Sequence, residues 1–480
     1  MTKGKGAAEI YPPLDPQSSC EIDIKRTPEE KKKIEETKKI SIKEANAYSL
    51  MDGFGLRYIT PYAIAAGANN AQIGLLSSLP SLLGNLSQLL TIKAMNKYSR
   101  KKIVFWGVFL QAVMWLVLLC AGSLYFVFKI NGQLPANAIV IVYTLLILFG
   151  AFSGPAWSSW MKELITENRG DYFGKRARIA GAVALVGMLI AGFILDYFKG
   201  TQVFIGFIII FTIAFVGRSI SAFLMLKQYE PKFHCESGYY FTLLQFIKRM
   251  AYNNFGKFTI YYALICLAVN ISGPFFAVYM LKNLGFSYVN YMSVVLSSSI
   301  TSLLFIPAWG KFADRYGNLK VMRITGFFIP LIPFLWLFSA YLTNWTSHVF
   351  VYILIIEGFS GIVWAGFNLS AGNFIYDAVT KQRLAICVSY FSILAGIGVL
   401  IGATLGGIIS SYNFTILGLS SLLFIFALSG VVRLAVYLIM DRKIMEVRHV
   451  EEFDMKDAKQ KIKNLSLKRF SEYLDINILK

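Results

Sequence analysis

The stretch Gly310–Lys320 reads GKFADRYGNLK and lies between two apolar runs, 287–310 and 320–342. A run of about 20 apolar residues is long enough to cross the hydrocarbon core of a bilayer, and only a helix satisfies its own backbone there. The stretch is therefore predicted to be a loop that joins two membrane-spanning helices at a membrane surface.

The composition extends this prediction to most of the chain. Of its 480 residues, 56% are hydrophobic and 15% are charged, whereas soluble domains contain about 45–50% apolar and about 25% charged residues. This excludes soluble globular and disordered chains. We predict an all-α membrane protein with twelve spans. The spans are 47–67, 71–92, 102–128, 136–160, 177–197, 202–226, 257–281, 287–310, 320–342, 348–373, 384–408 and 414–440.

The basic residues predict the orientation of these spans. If the N-terminus is cytoplasmic, 41 of the 47 Lys and Arg residues fall in or beside cytoplasmic segments, and only Lys129, Lys199 and Lys282 lie on the other side. This asymmetry follows the positive-inside rule. We expect a multi-pass protein of the cytoplasmic membrane with both termini inside. The basic residues behind the net charge of +20 are then expected to contact inner-leaflet lipids. Nucleic acid is excluded as a partner.

The chain also repeats itself at offsets of 213–218 residues. Pro61 matches Pro274, and Arg218 matches Arg433. The loop residues 96–100 match 314–318, and 163–169 match 377–383. Matches in one order at one offset indicate two six-helix halves. The predicted domains are a polar tail (1–46), two bundles (47–226 and 257–440), a cytoplasmic linker (227–256) and a tail (441–480).

The last of these segments is predicted to be an amphipathic helix. Its apolar residues Ile444, Val447 and Val450 recur at helical spacing. A helix on the membrane surface and a partner-binding helix are both open interpretations of this pattern.

The loop Gly310–Lys320 resembles the signature G-x-x-x-D-R-x-G-x-x-K/R of the major facilitator superfamily, and it lies between spans 8 and 9 as that signature requires. The first-half copy has lost the pattern, since Ile92, Asn96 and Ser99 replace its glycine, aspartate and second glycine. The segment Trp157–Arg176 is similar to the loop after the fourth helix in prokaryotic members.

The resemblance implies two six-helix bundles that rock to expose a central cavity alternately to each side. The first and fourth helices of each half would line this cavity. The loop aspartate would contact a neighbouring helix at the seam between the bundles and hold the outward-facing form. We assign gating roles to seven residues. They are Asp314, Arg315, Gly310, Gly317, Asp52, Glu163 and Arg169.

Two charges deep in the spans are the main site candidates, because a charge at the bilayer centre is costly. Arg57 and Glu357 each lie about nine residues, or about 14 Å, from a membrane surface at 1.5 Å per residue. We expect both to face one central site. Arg57 would bind an anionic group of the substrate or hold Glu357, and Glu357 would carry a proton. A purely structural ion pair is the alternative. Asp52 lies about 140° around the helix from Arg57 and is expected at the inner gate.

Uncharged residues on the cavity helices are weaker candidates for binding substrate, with plain helix packing as the alternative. They are Tyr58, Asn270, Trp364 and Asn368. Arg218 and Arg433 are expected to be structural, with side chains that reach toward the cytoplasmic headgroups. Asp196, at an outer helix end, is expected to be solvated.

The sequence favours transport over catalysis. It contains no HExxH, GxSxG or Walker motif. With scattered histidines and no CxxC, we expect no metal site and no cofactor. The prediction is a monomeric, proton-coupled secondary transporter of a small polar or anionic solute. The alternatives are an uncoupled uniporter, a lipid flippase of the same fold, and a membrane scaffold or sensor that does not transport.

Overall fold

The computed structural model describes most of the chain between residues 27 and 450. The described residues are 27–165, 169–200, 202–231, 242–342, 346–380, 383–412, 414–416, 418–440, 443–448 and 450. They are mainly helical, and a short hairpin pairs β1 (Thr415–Ile416) with β2 (Leu419–Ser420).

The helices divide into two sets on either side of a short linker helix. The first set is α1 (Pro28–Phe54), α2 (Ile59–Ala65), α3 (Asn70–Met95), α4 (Arg100–Phe126), α5 (Leu134–Leu164), α6 (Arg169–Tyr197) and α7 (Val203–Leu226). The linker contains α8 (Leu243–Arg249). The second set is α9 (Asn254–Asn270), α10 (Phe275–Val278), α11 (Tyr288–Tyr316), α12 (Asn318–Phe328), α13 (Leu331–Phe338), α14 (Thr346–Ala378), α15 (Leu384–Ser411) and α16 (Ser421–Met440).

Eleven helical segments of the described residues are long and apolar enough to cross a membrane. They coincide with the second to twelfth predicted spans. The first predicted span, 47–67, is different, because α1 ends at Phe54 and continues through a 3-10 turn, Leu56–Tyr58, into α2. This broken and more polar segment packs against α6 and α7, where the first helix of a bundle belongs.

Helix α1 also runs through the predicted boundary at residue 46 without a break. Thr27 caps its N-terminus in a capping box with Glu30. The Lys33 ammonium lies 2.6 Å from Glu29, and its hydrogen bond and charge lower the pKa of that carboxyl. A stripe of buried residues follows at helical spacing, so residues 28–46 form a helix that packs on the protein. The stripe is Ile34, Thr37, Ser41 and Ala45.

The helix contacts repeat between the two sets. In the first set, α1 packs on α6 and α7, α5 packs on α3 and α4, and α4 packs on α7. In the second set, α9 packs on α15 and α16, α14 packs on α11 and α12, and α13 packs on α16. The two sets meet where α3 packs on α15 and α6 packs on α11. This confirms the predicted fold class, an all-α membrane protein with two six-helix bundles.

Hydrogen bonds tie the two bundles together at one end. Asp196, at the end of α6, accepts the backbone N–H groups of Tyr288 and Val289 at 2.7 and 2.9 Å. The carboxylate therefore sits at the positive N-terminus of α11, and the expectation that Asp196 is solvated is wrong. Lys282 Nζ donates to the Ala68 carbonyl at 3.0 Å. We call the end that contains these contacts the closed end.

The same end is held by close helix packing and one further hydrogen bond. Asn70 Nδ2, at the start of α3, donates to the Ser410 carbonyl at 2.9 Å. A Cβ on Gly407 would lie 3.1 Å from the backbone of Asn70 and Ala71. Backbones this close leave no space for a solute between α3 and α15 at the closed end.

Toward the other end, helices α6 and α11 separate. Six consecutive residues of α11, 303–308, are all exposed, and Leu304 is 67% exposed. At 100° per residue these six residues point in every direction around the helix, so neighbouring helices cover this stretch only partly. We call this end the open end, and the space between the bundles the cleft.

We expect a methyl group on Gly74 to force the closed end apart. Its Cβ would lie 2.4 Å from the carbonyl oxygen of Ala403, on the opposite bundle, and overpacking of this kind costs about 1–3 kcal/mol. In Gly74→Ala, spin labels on the exposed residues Lys129 and Tyr412 should move apart. In the control Gly154→Ala, whose Cβ meets nothing within 4 Å, the distance should stay the same. An unchanged distance in Gly74→Ala would contradict this assignment of the seam.

Candidate functional site

An ion pair lies at the break in the first span. A Cβ on Gly55 would lie 2.4 Å from the ring of Trp115, so only glycine fits there. Its φ of −115° and ψ of −76° end α1, and the next turn tightens to 3-10. As a result Asp52 Oδ1 lies 3.4 Å from Arg57 Nε. The expectation that Asp52 points away from Arg57 is wrong, because it assumed an unbroken helix.

Arg57 is exposed at the break in the first span, and its charge influences three tyrosines. Its side chain is 46% exposed. The charge of Arg57 acts on the phenol groups of Tyr48 in α1, Tyr143 in α5 and Tyr291 in α11. Tyr291 lies one turn along α11 from Tyr288, so Arg57 lies directly beneath the closed end. The surrounding tyrosines come from both bundles, and the sequence analysis did not select them.

The structure does not bring Arg57 and Glu357 together. Arg57 is paired with Asp52. Glu357 instead accepts a hydrogen bond from Trp336 Nε1 at 3.1 Å, and the charge of Arg433 acts on it. The predicted meeting of the two groups is wrong, because each one finds an opposite charge or a donor within its own bundle.

Glu357 lies on one face of α14 with two other predicted site residues. Trp364 and Asn368 follow it by 7 and 11 residues, which places all three within about 20° of one line along the helix. Glu357 and Trp364 are partly buried and Asn368 is exposed. The stripe runs toward the open end, and the Trp364 ring packs on Phe367 with centroids 5.6 Å apart.

Asn270 and Tyr58 lie close to the breaks in the first helix of each bundle. Asn270 is the last residue of α9, and its Nδ2 donates to the Cys266 carbonyl at 2.8 Å. Its position matches that of Gly55 at the repeat offset of 215 residues. Tyr58 is fully buried, and its hydroxyl donates to the Met188 carbonyl. We therefore assign Tyr58 to packing between α6 and the broken span.

The loop Gly310–Lys320 contains four of the predicted gating residues. Gly310 lies within α11 and Arg315 in its last turn, where the Arg315 guanidinium lies 5.2 Å from the centre of the Tyr316 ring. Gly317 adopts a φ of +90°, which favours glycine. Asp314 is 77% exposed, and Arg448 of the same bundle lies 3.8 Å from it. These contacts do not include a partner for Asp314 on the other bundle.

Residues 443–448, which follow the last helix, cross this loop. Glu446 Oε2 accepts the Leu319 N–H at 2.8 Å, and Asn254 makes two hydrogen bonds with the backbone of Met445. This segment is not helical, because Glu446 also accepts the N–H groups of Val447 and Arg448. The predicted amphipathic helix is wrong for residues 443–448, and residues 451–480 lie outside the described ranges.

The first bundle repeats this arrangement. Arg100, at the start of α4, lies 2.7 Å from Glu163 at the end of α5 and 3.6 Å from Glu230 after α7. In the second bundle, Asn318 Nδ2 donates to Asp377 at 2.7 Å. Arg100 and Asn318 therefore occupy equivalent positions in the two bundles. Glu163 and Asp377 do so as well, as both predicted loop matches require. The match between Glu230 and Glu446, at an offset of 216, was missed. The Arg169 side chain lies outside the described residues.

A buried charge cluster inside the first bundle was also missed. Glu44 Oε2 lies 2.8 Å from Arg176 Nη2, and Glu44 Oε1 accepts the Ser221 hydroxyl at 2.8 Å. Arg218 donates to Gln111 at 2.7 Å and to Ser221 at 3.1 Å. Glu44 had been counted in a polar tail. The helical spacing of residues 34, 37, 41 and 45 was the signal that could have placed it on a packed helix.

The family model of the Major Facilitator Superfamily matches residues 45–236 and 258–472. The chain belongs to the major facilitator superfamily. No match to a curated protein sequence was found. As a superfamily member it is a multi-pass membrane transporter of a solute and not an enzyme.

Solved structures of transporters share this fold. The nucleoside transporter NupG matches with a TM-score of 0.59 and 14% identity over 86% of this chain and 98% of that one. A bacterial metal transporter matches with 0.62 and 14% identity over 85% and 98%. A bacterial homologue of the iron transporter ferroportin in an inward-facing state matches with 0.63 and 13% identity over 85% and 98%. At these identities the likeness establishes the fold alone.

Proposed function

We propose that this superfamily member is a proton-coupled secondary transporter, which moves a small polar or anionic solute across the cytoplasmic membrane by alternating access. One observation carries the proposal. A half-exposed arginine, paired with Asp52 at long distance, lies at the break in the first span. A charge is retained at such depth at a cost, and binding of an anionic group explains its retention.

The charge distribution orients this site in the membrane. The closed end carries Lys129, Lys199 and Lys282, and the basic loops lie at the open end. By the positive-inside rule, the open end faces the cytoplasm and the structure is an inward-open state. The exposed Asp314 fits that assignment, since its predicted contact across the seam belongs to the outward-facing form.

The proposed site has two parts. Arg57 binds the anionic group of the solute, and Asn270, Trp364 and Asn368 are assigned to the opposite side of the site. Closing the cleft toward the cytoplasm would bring the stripe toward Arg57. In this proposal Asp314, Arg315, Gly310 and Gly317 control the open end, and Asp52 holds Arg57 while the site is empty.

A thermal-shift screen of solutes at two pH values tests the proposed function. Ligand binding to the folded state raises its apparent stability by RT ln(1 + [L]/Kd), where [L] is the free ligand concentration. We expect stabilisation by one class of polar or anionic solute, and accumulation of that solute in proteoliposomes along an imposed proton gradient. If no such solute stabilises the protein or enters the vesicles, the proposal is wrong.

We expect Glu357→Gln to remove the dependence of uptake on the proton gradient. Glutamine preserves the acceptor oxygen for Trp336 Nε1 but cannot bind or release a proton. Solute exchange without a gradient should continue. The control is Glu35→Gln, which removes an exposed carboxyl from α1. If Glu357→Gln still follows the proton gradient, the coupling role belongs to another group.

A further inference from the structure

We propose that the substrate is a zwitterion of the α-amino acid class, with its carboxylate on Arg57 and its ammonium on Asp52. This inference rests on the proposed function and names the solute. The structural basis is the pair of opposite charges at the break in the first span, both open to the cleft.

The Asp52–Arg57 pair is longer than the Glu44–Arg176 and Glu163–Arg100 pairs of the first bundle. Its two contacts measure 3.4 and 3.5 Å, whereas Glu44 lies 2.8 Å from Arg176 and Glu163 lies 2.7 Å from Arg100. Charge-assisted hydrogen bonds normally measure about 2.7–2.9 Å. The Asp52 and Arg57 side chains are also 21% and 46% exposed. Both groups therefore retain hydrogen-bonding capacity that faces the cleft.

Asp52 lies at the end of a helix, where a nearby cation is favourable. It lies in the last turn of the 27-residue helix α1, which has no basic residue in that turn. The C-terminal end of a helix carries partial negative charge, which an acidic side chain reinforces and a cation neutralises. The break at Gly55 brings the Arg57 guanidinium to this end, but only at long distance. An ammonium group bound here satisfies the helix end and Asp52 together.

The local charge balance favours a neutral ligand that carries both signs. Arg57 and Asp52 carry opposite charges 3.4 Å apart, so the empty pair is formally neutral. A simple anion on Arg57 would leave the Asp52 carboxylate without its partner in a partly buried site, which is unfavourable. An α-amino acid supplies an ammonium and a carboxylate one carbon apart. It replaces the loose pair with two direct charged contacts.

The tyrosines supply the remaining surface. Tyr48 is 39% exposed, and Tyr143 and Tyr291 are respectively partly and largely buried beside Arg57. Aromatic rings offer apolar contact for a ligand side chain together with hydroxyl groups for polar atoms. They suit an apolar or aromatic side chain attached to the zwitterion.

Three ligands with one phenyl ring test the assignment on the purified full-length protein. L-phenylalanine has both charges, phenylpyruvate lacks the ammonium, and 2-phenylethylamine lacks the carboxylate. We expect only L-phenylalanine to raise the melting temperature, and a panel of the other L-amino acids then ranks the side chains. Asp52→Asn should weaken the binding of L-phenylalanine about tenfold or more, the effect of one charged hydrogen bond. Asp52→Glu is the conservative variant and should retain the preference.

The outcomes separate this inference from the proposed function. If phenylpyruvate binds as well as L-phenylalanine, the zwitterion assignment is wrong and an anion transporter remains. If no amino acid binds while other anions do, the zwitterion assignment is again wrong and an anion transporter remains. If no polar or anionic solute binds, both fail. Gel filtration of each variant shows whether it is folded, and Asp52→Glu decides the question if Asp52→Asn is not.

Discussion

We expect Arg57→Ala to weaken solute-dependent stabilisation and uptake strongly while the protein remains folded. The guanidinium is half-exposed and its Asp52 contacts are long, so its loss costs little stability. A hydrogen bond to a charged group is worth about 1.5–3 kcal/mol. Its loss therefore weakens solute binding by roughly 10–150-fold. The measurement is a titration of the solute from the screen by thermal shift, followed by proteoliposome uptake.

Two further variants serve as controls for this result. Lys199→Ala removes an equal charge from an exposed residue at the closed end and should bind and transport normally. Arg57→Lys keeps the charge without the planar fork and should retain part of the affinity. Normal uptake by Arg57→Ala would contradict the proposed site for any substrate.

The second large effect is on stability. Arg433→Ala should destabilise the second bundle by about 2–5 kcal/mol, because it removes a fully buried side chain that makes four hydrogen bonds. The Arg433 side chain is fully enclosed and donates to Ser429, Ser272 and the carbonyls of Ile329 and Val269. These bonds connect α9, α16 and the turn before α13. Its removal also leaves Glu357 without a nearby positive charge.

Thermal unfolding in detergent measures this effect. Leu438→Ala, one turn further along α16 and 65% exposed, is the matched control and should change stability by about 0.5 kcal/mol or less. Equal melting temperatures for Arg433→Ala and the control would contradict the bonding described here. The expectation that Arg433 reaches toward the headgroups is wrong, because backbone carbonyls and hydroxyls inside the bundle satisfy its donors.

The repeat was the most informative feature of the sequence. Its offset of 213–218 residues paired Glu163 with Asp377, and each carboxyl contacts the start of the third helix of its bundle. The same offset pairs Glu230 with Glu446, which bind the same place from the segment after the last helix. This second pair was not predicted, because Glu230 was assigned to the linker (227–256) and Glu446 to the tail (441–480), outside the two predicted bundles.

The sequence by itself determined the spans, their repeat, the superfamily signature and the two deep charges, because hydrophobic runs, charge asymmetry and motif spacing are properties of the linear chain. Only the tertiary structure decided the partners of those charges. Gly55 ends α1 because Trp115 leaves no room for a side chain, and this break brings Asp52 to Arg57. Trp336, which lies on another helix, donates a hydrogen bond to the Glu357 carboxyl. A helical projection of one segment contains neither the break nor the neighbouring helix, so it cannot place either pair.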